Sequence, residues 1–142
     1  MTEPVRILLV EDSLADVRLL REAVREHGLD IVLDEVGDGE RALAHLNGAG
    51  PRPDLILLDL NLPRLDGREV LETIKADPGL RAIPVIVLST SASPRDVADC
   101  YSRHASAYLV KPMGLDELGD LMLALDAFWL RRAQLPRAVS GS

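Results

Sequence analysis

Aromatic side chains are nearly missing from this sequence: one tryptophan, one phenylalanine and two tyrosines make up 3% of its 142 residues. A core must therefore be aliphatic, and a hydrophobic fraction of 47% rich in Leu, Val, Ile and Ala suits strands sandwiched by helices. Cysteine is as scarce. Cys100 stands alone, which excludes an internal disulfide and a cysteine-rich zinc site and points to a reducing cytoplasm. His27, His45 and His104 share no spacing and receive no metal role. Basic charge is also short, with 16 Lys and Arg against 23 acids and a formal net charge of -7. Nucleic acid binding needs a concentrated basic surface and is not expected. No apolar run approaches the roughly 20 residues that span a bilayer. The opening Met1-Thr2-Glu3-Pro4 lacks the basic start and small-residue cleavage site of a signal peptide. No membrane role is expected.

What is present is an alternation of short apolar runs with amphipathic stretches, the pattern of strand and crossover-helix units around a parallel sheet. Five units are counted. Val5 to Val10 reads as a strand, and a helix follows from Leu14 to about His27, with Val17, Leu20 and Val24 on its apolar face and Gly28 as its stop. Asp30 to Val36 alternates apolar and acidic residues like a strand with one solvated face. Asp38-Gly39 then opens a helix that ends near Asn47-Gly48. Leu55 to Leu58 is wholly apolar, as a central parallel strand requires, and Gly67 to Ala76 reads as the third helix. Pro84 to Leu88 is the fourth strand. Ser93-Pro94 has the form of an N-cap and first helical turn for a helix to about His104. A short strand at Tyr108 to Val110 precedes a last helix from about Leu115 to Arg132, with Leu118, Leu121, Met122, Leu125, Phe128 and Trp129 on a broad stripe. Residues 1–134 are expected to form one domain and 135–142 a loose tail.

In open parallel sheets of this class, ligands bind beyond the carboxyl ends of the strands. Glu11 and Asp12 follow the first strand, Asp59 ends the third, Ser89 the fourth and Lys111 the fifth. Converging carboxylates repel one another unless a cation or protons neutralise them. Magnesium, which takes one or two carboxylates together with waters and phosphate oxygens, is the economical partner. Asp12 and Asp59 offer ligands, and Glu11 can hold a coordinated water. Aspartate is a competent nucleophile toward phosphorus. Lys111 can pair with Asp59 before transfer and with a phosphoryl oxygen afterwards, and the Ser89 hydroxyl can donate to the same group.

These residues resemble the receiver domains of bacterial response regulators, from Val5 to about Trp129. Ile7-Leu8-Leu9-Val10-Glu11-Asp12 is similar to the acidic-pair strand, and Asp54-Leu55-Ile56-Leu57-Leu58-Asp59 to the acceptor strand. Leu62-Pro63-Arg64-Leu65-Asp66-Gly67 is similar to the loop that follows, and Lys111-Pro112 to a lysine and cis-proline pair. The resemblance implies a flavodoxin-like, doubly wound α/β fold with five parallel strands in the order 2-1-3-4-5. It implies phosphorylation of Asp59 by a histidine kinase, magnesium on Asp12, Asp59 and the Asn61 backbone carbonyl with Glu11 assisting, and Lys111 on the phosphoryl group. The switch hydroxyl falls on Ser89, with Thr90 beside it as the alternative, and the rotating aromatic on Tyr108. Asp59-Leu60-Asn61-Leu62-Pro63 and Val87-Leu88-Ser89-Thr90-Ser91 look most similar to the short regulators that partner phytochrome-type kinases. Those relatives associate as homodimers through helix four, strand five and helix five. The expectation is a signalling protein without an output domain, which catalyses only its own magnesium-dependent phosphorylation and slow dephosphorylation.

Other readings compete. An Asp after an apolar strand is more often a helix cap or solvated loop residue, and it is the shared edge with Glu11, Asp12, Ser89 and Lys111 that favours function. A phosphohydrolase of the haloacid dehalogenase type needs a second Asp two residues after its nucleophile, where this chain has Asn61. A flavodoxin-like electron carrier needs a phosphate loop after the first strand, where Glu11-Asp12 would repel the ligand. A receiver-like scaffold that never accepts phosphate would be marked by loss of Asp12, Asp59 or Lys111. Phe128 and Trp129 fit either the core or a dimer contact.

Overall fold

Side-chain alternation along the strands sorts the core into two apolar layers, one on each face of the sheet. In the computed structural model, which describes residues 4–136, the sheet consists of β1 (Val5–Val10), β2 (Ile31–Val36), β3 (Leu55–Leu58), β4 (Val85–Ser89) and β5 (Ala107–Val110). All pairings are parallel and the order is β2-β1-β3-β4-β5. The helices are α1 (Leu14–Glu26), α2 (Gly39–Asn47), α3 (Gly67–Ala76), α4 (Pro94–Ser102) and α5 (Leu115–Leu125). Leu8, Val10, Ile56, Leu58, Val85 and Val87 face the layer that holds Ala42 of α2, Val70, Leu71 and Ile74 of α3, and Cys100 of α4. Ile7, Leu9, Leu55, Leu57 and Ile86 point the other way, onto Val17 and Leu20 of α1 and Leu118 and Met122 of α5. A strand has period two, so each of these runs must be apolar at every position to fill both layers. Complete burial of one such Leu or Ile contributes about 1.5–3 kcal/mol.

The helix starts follow local chemistry. Ser13, Asp38 and Asp66 cap α1, α2 and α3 by accepting from the backbone N–H of Asp16, Arg41 and Arg68. Ser93 sits at the cap position of α4 before Pro94, yet its side chain makes no capping bond. Its own N–H donates to Ser91 Oγ instead, at 3.2 Å.

The last helix departs from the expected uninterrupted run. After α5 the chain makes a π-helical turn over Asp126–Leu130, closed by Arg131 N–H donating to the Asp126 carbonyl at 3.1 Å. Asp126 is buried and accepts from Arg131 Nε at 2.7 Å. The extra residue in the turn shifts the phase of the stripe. Phe128 is consequently 59% exposed, while Trp129 is half-buried against the α1/α5 layer. Leu135 also packs against that layer, and residues 137–142 of the expected tail lie outside the described residues. The cis bond that the resemblance implies at Lys111-Pro112 is not found: no described peptide bond is cis, and trans is the lower-energy isomer of an X-Pro bond. Among the described residues no helix is long and apolar enough to cross a membrane.

Candidate functional site

β1 leads out to β2 on one side while the chain returns as β3 on the other, so the strand order reverses between β1 and β3. The carboxyl ends of those two strands open onto this crevice, where ligands of doubly wound sheets bind. Backbone bonds that extend the ladder hold the polar residues there. Glu11 N–H donates to Val36 O at 3.0 Å, Asp59 N–H to Val10 O at 3.0 Å, and Lys111 N–H to Ser89 O at 2.6 Å.

Glu11 is 3% and Asp59 6% exposed, whereas Asp12 is open to solvent. One carboxylate oxygen from each of the three lies within 4.8 Å of the others. An octahedral ion with bonds of about 2.1 Å holds opposite oxygens about 4.2 Å apart. An all-oxygen donor set of this size fits a hard divalent cation. Asn61 N–H donates to Asp59 Oδ1 at 3.2 Å and orients that carboxylate.

Lys111 is the counter-charge. Its Nζ donates to Glu11 Oε2 at 2.7 Å and to Asp16 Oδ2 at 3.0 Å, and stands 3.7 Å from Asp59 Oδ2. Pairing with Asp59, anticipated from sequence, is thus the longest of its three contacts. Burial opposes the charge on Lys111, but the bonds from Glu11 and Asp16 and the charge of Asp59 outweigh it and hold its pKa above the ordinary lysine value. Burial pushes the Glu11 carboxyl up to about 7; the Lys111 bond opposes this and the charge of Asp59 adds to it. Desolvation prevails at Glu11 because almost no water reaches it.

Ser89 is 1% exposed at the end of β4, and Thr90 beside it is exposed. Ser89 Oγ accepts from Ser91 N–H at 3.2 Å. Tyr108 is half-buried, and its hydroxyl donates to the Ser91 carbonyl at 2.8 Å. Ser91 also donates through Oγ to Asp96 Oδ2 at 2.6 Å, and Arg68 of α3 pairs with Asp96 at 3.2 Å. Pro112 follows Lys111 at the same edge and is half-buried.

Every strand-end residue singled out from sequence therefore lies at one rim of the sheet. Asp16, Ser91, Asp96 and Arg68 escaped that reading. The acids in first helical turns look like ordinary dipole partners, and Ser91 is in sequence only one member of the run from Val87 to Ser91. Nothing local marks them as neighbours of the site.

The response regulator receiver domain family matches residues 7–122. Response regulator Rcp1 of Synechocystis sp. is 46% identical over 140 residues, covering 95% of each chain. The structure of its Mn(2+)-bound form superimposes with a TM-score of 0.87 over 94% of this chain and 100% of that one. The phosphorylated cyanobacterial phytochrome response regulator RcpA is 44% identical, with a TM-score of 0.88 over 94% of this chain and 99% of that one. A receiver domain of a sensor histidine kinase from Pseudomonas aeruginosa PAO1, with magnesium coordinated in its active site cleft, is 30% identical, with a TM-score of 0.71 over 88% of this chain and 97% of that one. With its full set of strand-end carboxylates and lysine, this chain belongs to the response regulator receiver domain family.

Proposed function

We infer that this response regulator accepts a phosphoryl group on Asp59 from a histidine kinase, and that phytochrome-type kinases are its donors. The observation that carries the reading is Asp59 itself, 6% exposed, sharing a cation-sized cluster with Glu11 and Asp12 and facing Lys111 at 3.7 Å. Similarity to RcpA, a phytochrome response regulator crystallised in phosphorylated form, supports both the modification and the class of donor.

Magnesium is the proposed ion, held by Asp12, Asp59 and the Asn61 backbone carbonyl with Glu11 acting through water; bound there, it would screen the charge between nucleophile and phosphoryl group. An Asp59 Oδ–P bond forms as the P–N bond of a phosphohistidine breaks, and its electron pair leaves on the imidazole nitrogen, which is protonated. Asn61 N–H donates to Asp59 Oδ1 and fixes the orientation of the carboxylate. Lys111 and the Ser89 hydroxyl bind phosphoryl oxygens, with Thr90 outside the pocket. The protein catalyses only this step and the slow hydrolysis of the acyl phosphate, in which water takes the phosphoryl group as inorganic phosphate and Asp59 is regenerated. Movement of Ser89 carries Ser91 and Tyr108 with it, since the three share hydrogen bonds. That changes the face of α4, β5 and α5, where Tyr101, Val110 and Leu123 are exposed. A homodimer forms on this face, in the cytoplasm, where the kinase's ATP-derived phosphoryl groups arise.

Incubation with magnesium and acetyl phosphate, followed by intact mass measurement, tests the reading. One added phosphoryl group on the native chain and none on Asp59→Asn is expected. An unmodified native chain, or an equally modified variant, overturns it.

A further inference from the structure

Lys111 brings one positive charge into a nest of acids, and its side chain is only 9% exposed. An ammonium has three donors. Two are committed to Glu11 and Asp16, while Asp59 Oδ2 at 3.7 Å lies beyond hydrogen-bond reach. Glu11 is itself fixed at both oxygens, since Oε1 accepts from Ser13 N–H at 3.1 Å. Asp16 is different. It lies outside the three-carboxylate cluster, and it reaches Lys111 across 95 residues of chain. The capping bond from Asp16 N–H to Ser13 Oγ, at 3.3 Å, starts α1 where this carboxylate meets the ammonium.

We propose that Asp16 is a positioning residue that holds the Lys111 ammonium short of Asp59 until a phosphoryl group is in place to receive it. This rests on Asp59 being the phosphoryl acceptor. A direct Lys111–Asp59 hydrogen bond would occupy a lone pair of the attacking carboxylate and have to break before attack. With Asp16 accepting instead, the Asp59 oxygens stay available to the nucleophilic step. After transfer the balance reverses. A phosphoryl group adds charge and three strong acceptors beside Lys111, and Asp16, with 28% of its side chain exposed, is the partner that water most readily resolvates. The ammonium moves to the phosphoryl oxygens while Glu11 keeps its hold.

The test is a double-mutant cycle on the full chain, with saturating magnesium and acetyl phosphate. Asp16→Asn keeps the shape and removes the charge. It is expected to slow phosphorylation of Asp59 by about fivefold in the native background and to leave the rate unchanged in a Lys111→Met background, a non-additivity that contact pairs show. Asp16→Glu is expected to restore most of the loss. An equal change in both backgrounds would mean that Asp16 acts through its field or through helix stability, and no change in the native background would mean that it does not act; either overturns the proposal. A structure of Asp16→Asn gives a second readout: Lys111 Nζ should close to hydrogen-bond distance of Asp59 Oδ2, and an unmoved ammonium overturns the proposal even where the Lys111→Met rate is too slow to time. A native chain that takes no phosphoryl group defeats the acceptor reading itself, whereas normal native uptake with an indifferent Asp16→Asn defeats only the positioning role.

Discussion

Gly67 presses its bare Cα against the backbone of Asp59. A methyl group built on Gly67 would overlap the Asp59 carbonyl oxygen and lie 2.6 Å from Leu60 Cα, and Gly67 N–H donates to Leu60 O at 2.9 Å. Backbone cannot yield as a side-chain tip does, so the start of α3 holds the acceptor loop by close approach. Gly67→Ala is expected to cost about 1–3 kcal/mol in urea denaturation and to impair phosphoryl uptake. Gly119, inside α5 with open space around it, provides the contrast, since Gly119→Ala should gain about 0.5–1 kcal/mol. An unaffected Gly67→Ala would show that the contact does not constrain the loop.

The raised pKa of Glu11, about 7, sets a pH dependence in the metal-free protein. The folded chain holds this proton more tightly than the unfolded chain, whose carboxyl titrates near the ordinary glutamate value of 4.5. The stabilisation is complete below 4.5 and is lost as pH rises through about 7. Denaturant midpoints of chelator-treated protein should therefore carry a falling component across this window that Glu11→Gln removes. Identical slopes for the two proteins would count against it.

Divalent ions should oppose that trend. Binding to the folded state alone stabilises by about 2.7 kcal/mol at a hundredfold excess over Kd. The ion displaces protons from its carboxylates, so the rise in Tm should grow with pH. Asp12→Asn should remove most of it. A Tm rise of equal size in that variant would place the ion elsewhere.

Asp96 ties α4 to both the β4–α4 loop and α3. The Ser91 hydroxyl and then Arg68 hold its carboxyl below the usual aspartate pKa, so this tie persists above the ordinary value of 3.8 and is lost as pH falls through the depressed one. Asp96→Asn weakens the pair with Arg68 and should speed amide hydrogen exchange over residues 91–97 at neutral pH, with exchange in β1 unchanged. Acceleration spread evenly over both segments would indicate global destabilisation instead.

The proposed dimer face can be separated from the acceptor site. Leu123 of α5 and Phe128 of the π-helical turn are exposed and belong to none of the strand ends that carry the acceptor site. Leu123→Glu with Phe128→Ala should weaken self-association by about tenfold or more in sedimentation while phosphorylation by acetyl phosphate stays intact. Unchanged association would move the interface to another face.

The sequence by itself determined the alternation of elements, the doubly apolar strand Leu55–Leu58, the span of α3 over Gly67–Ala76 and the rim on which Glu11, Asp12, Asp59, Ser89 and Lys111 converge. Those features follow from local periodicity, from glycine and proline punctuation and from the handedness of crossovers, all of which act over a few residues or by general rule. Tertiary structure alone decided that Lys111 rests on Glu11 and Asp16 rather than on Asp59, that Ser91 joins Ser89, Tyr108 and Asp96, and that a π turn exposes Phe128 while Trp129 packs inward. Which of several carboxylates an ammonium meets depends on tenths of an ångström between elements distant in the chain, and no periodicity encodes such distances.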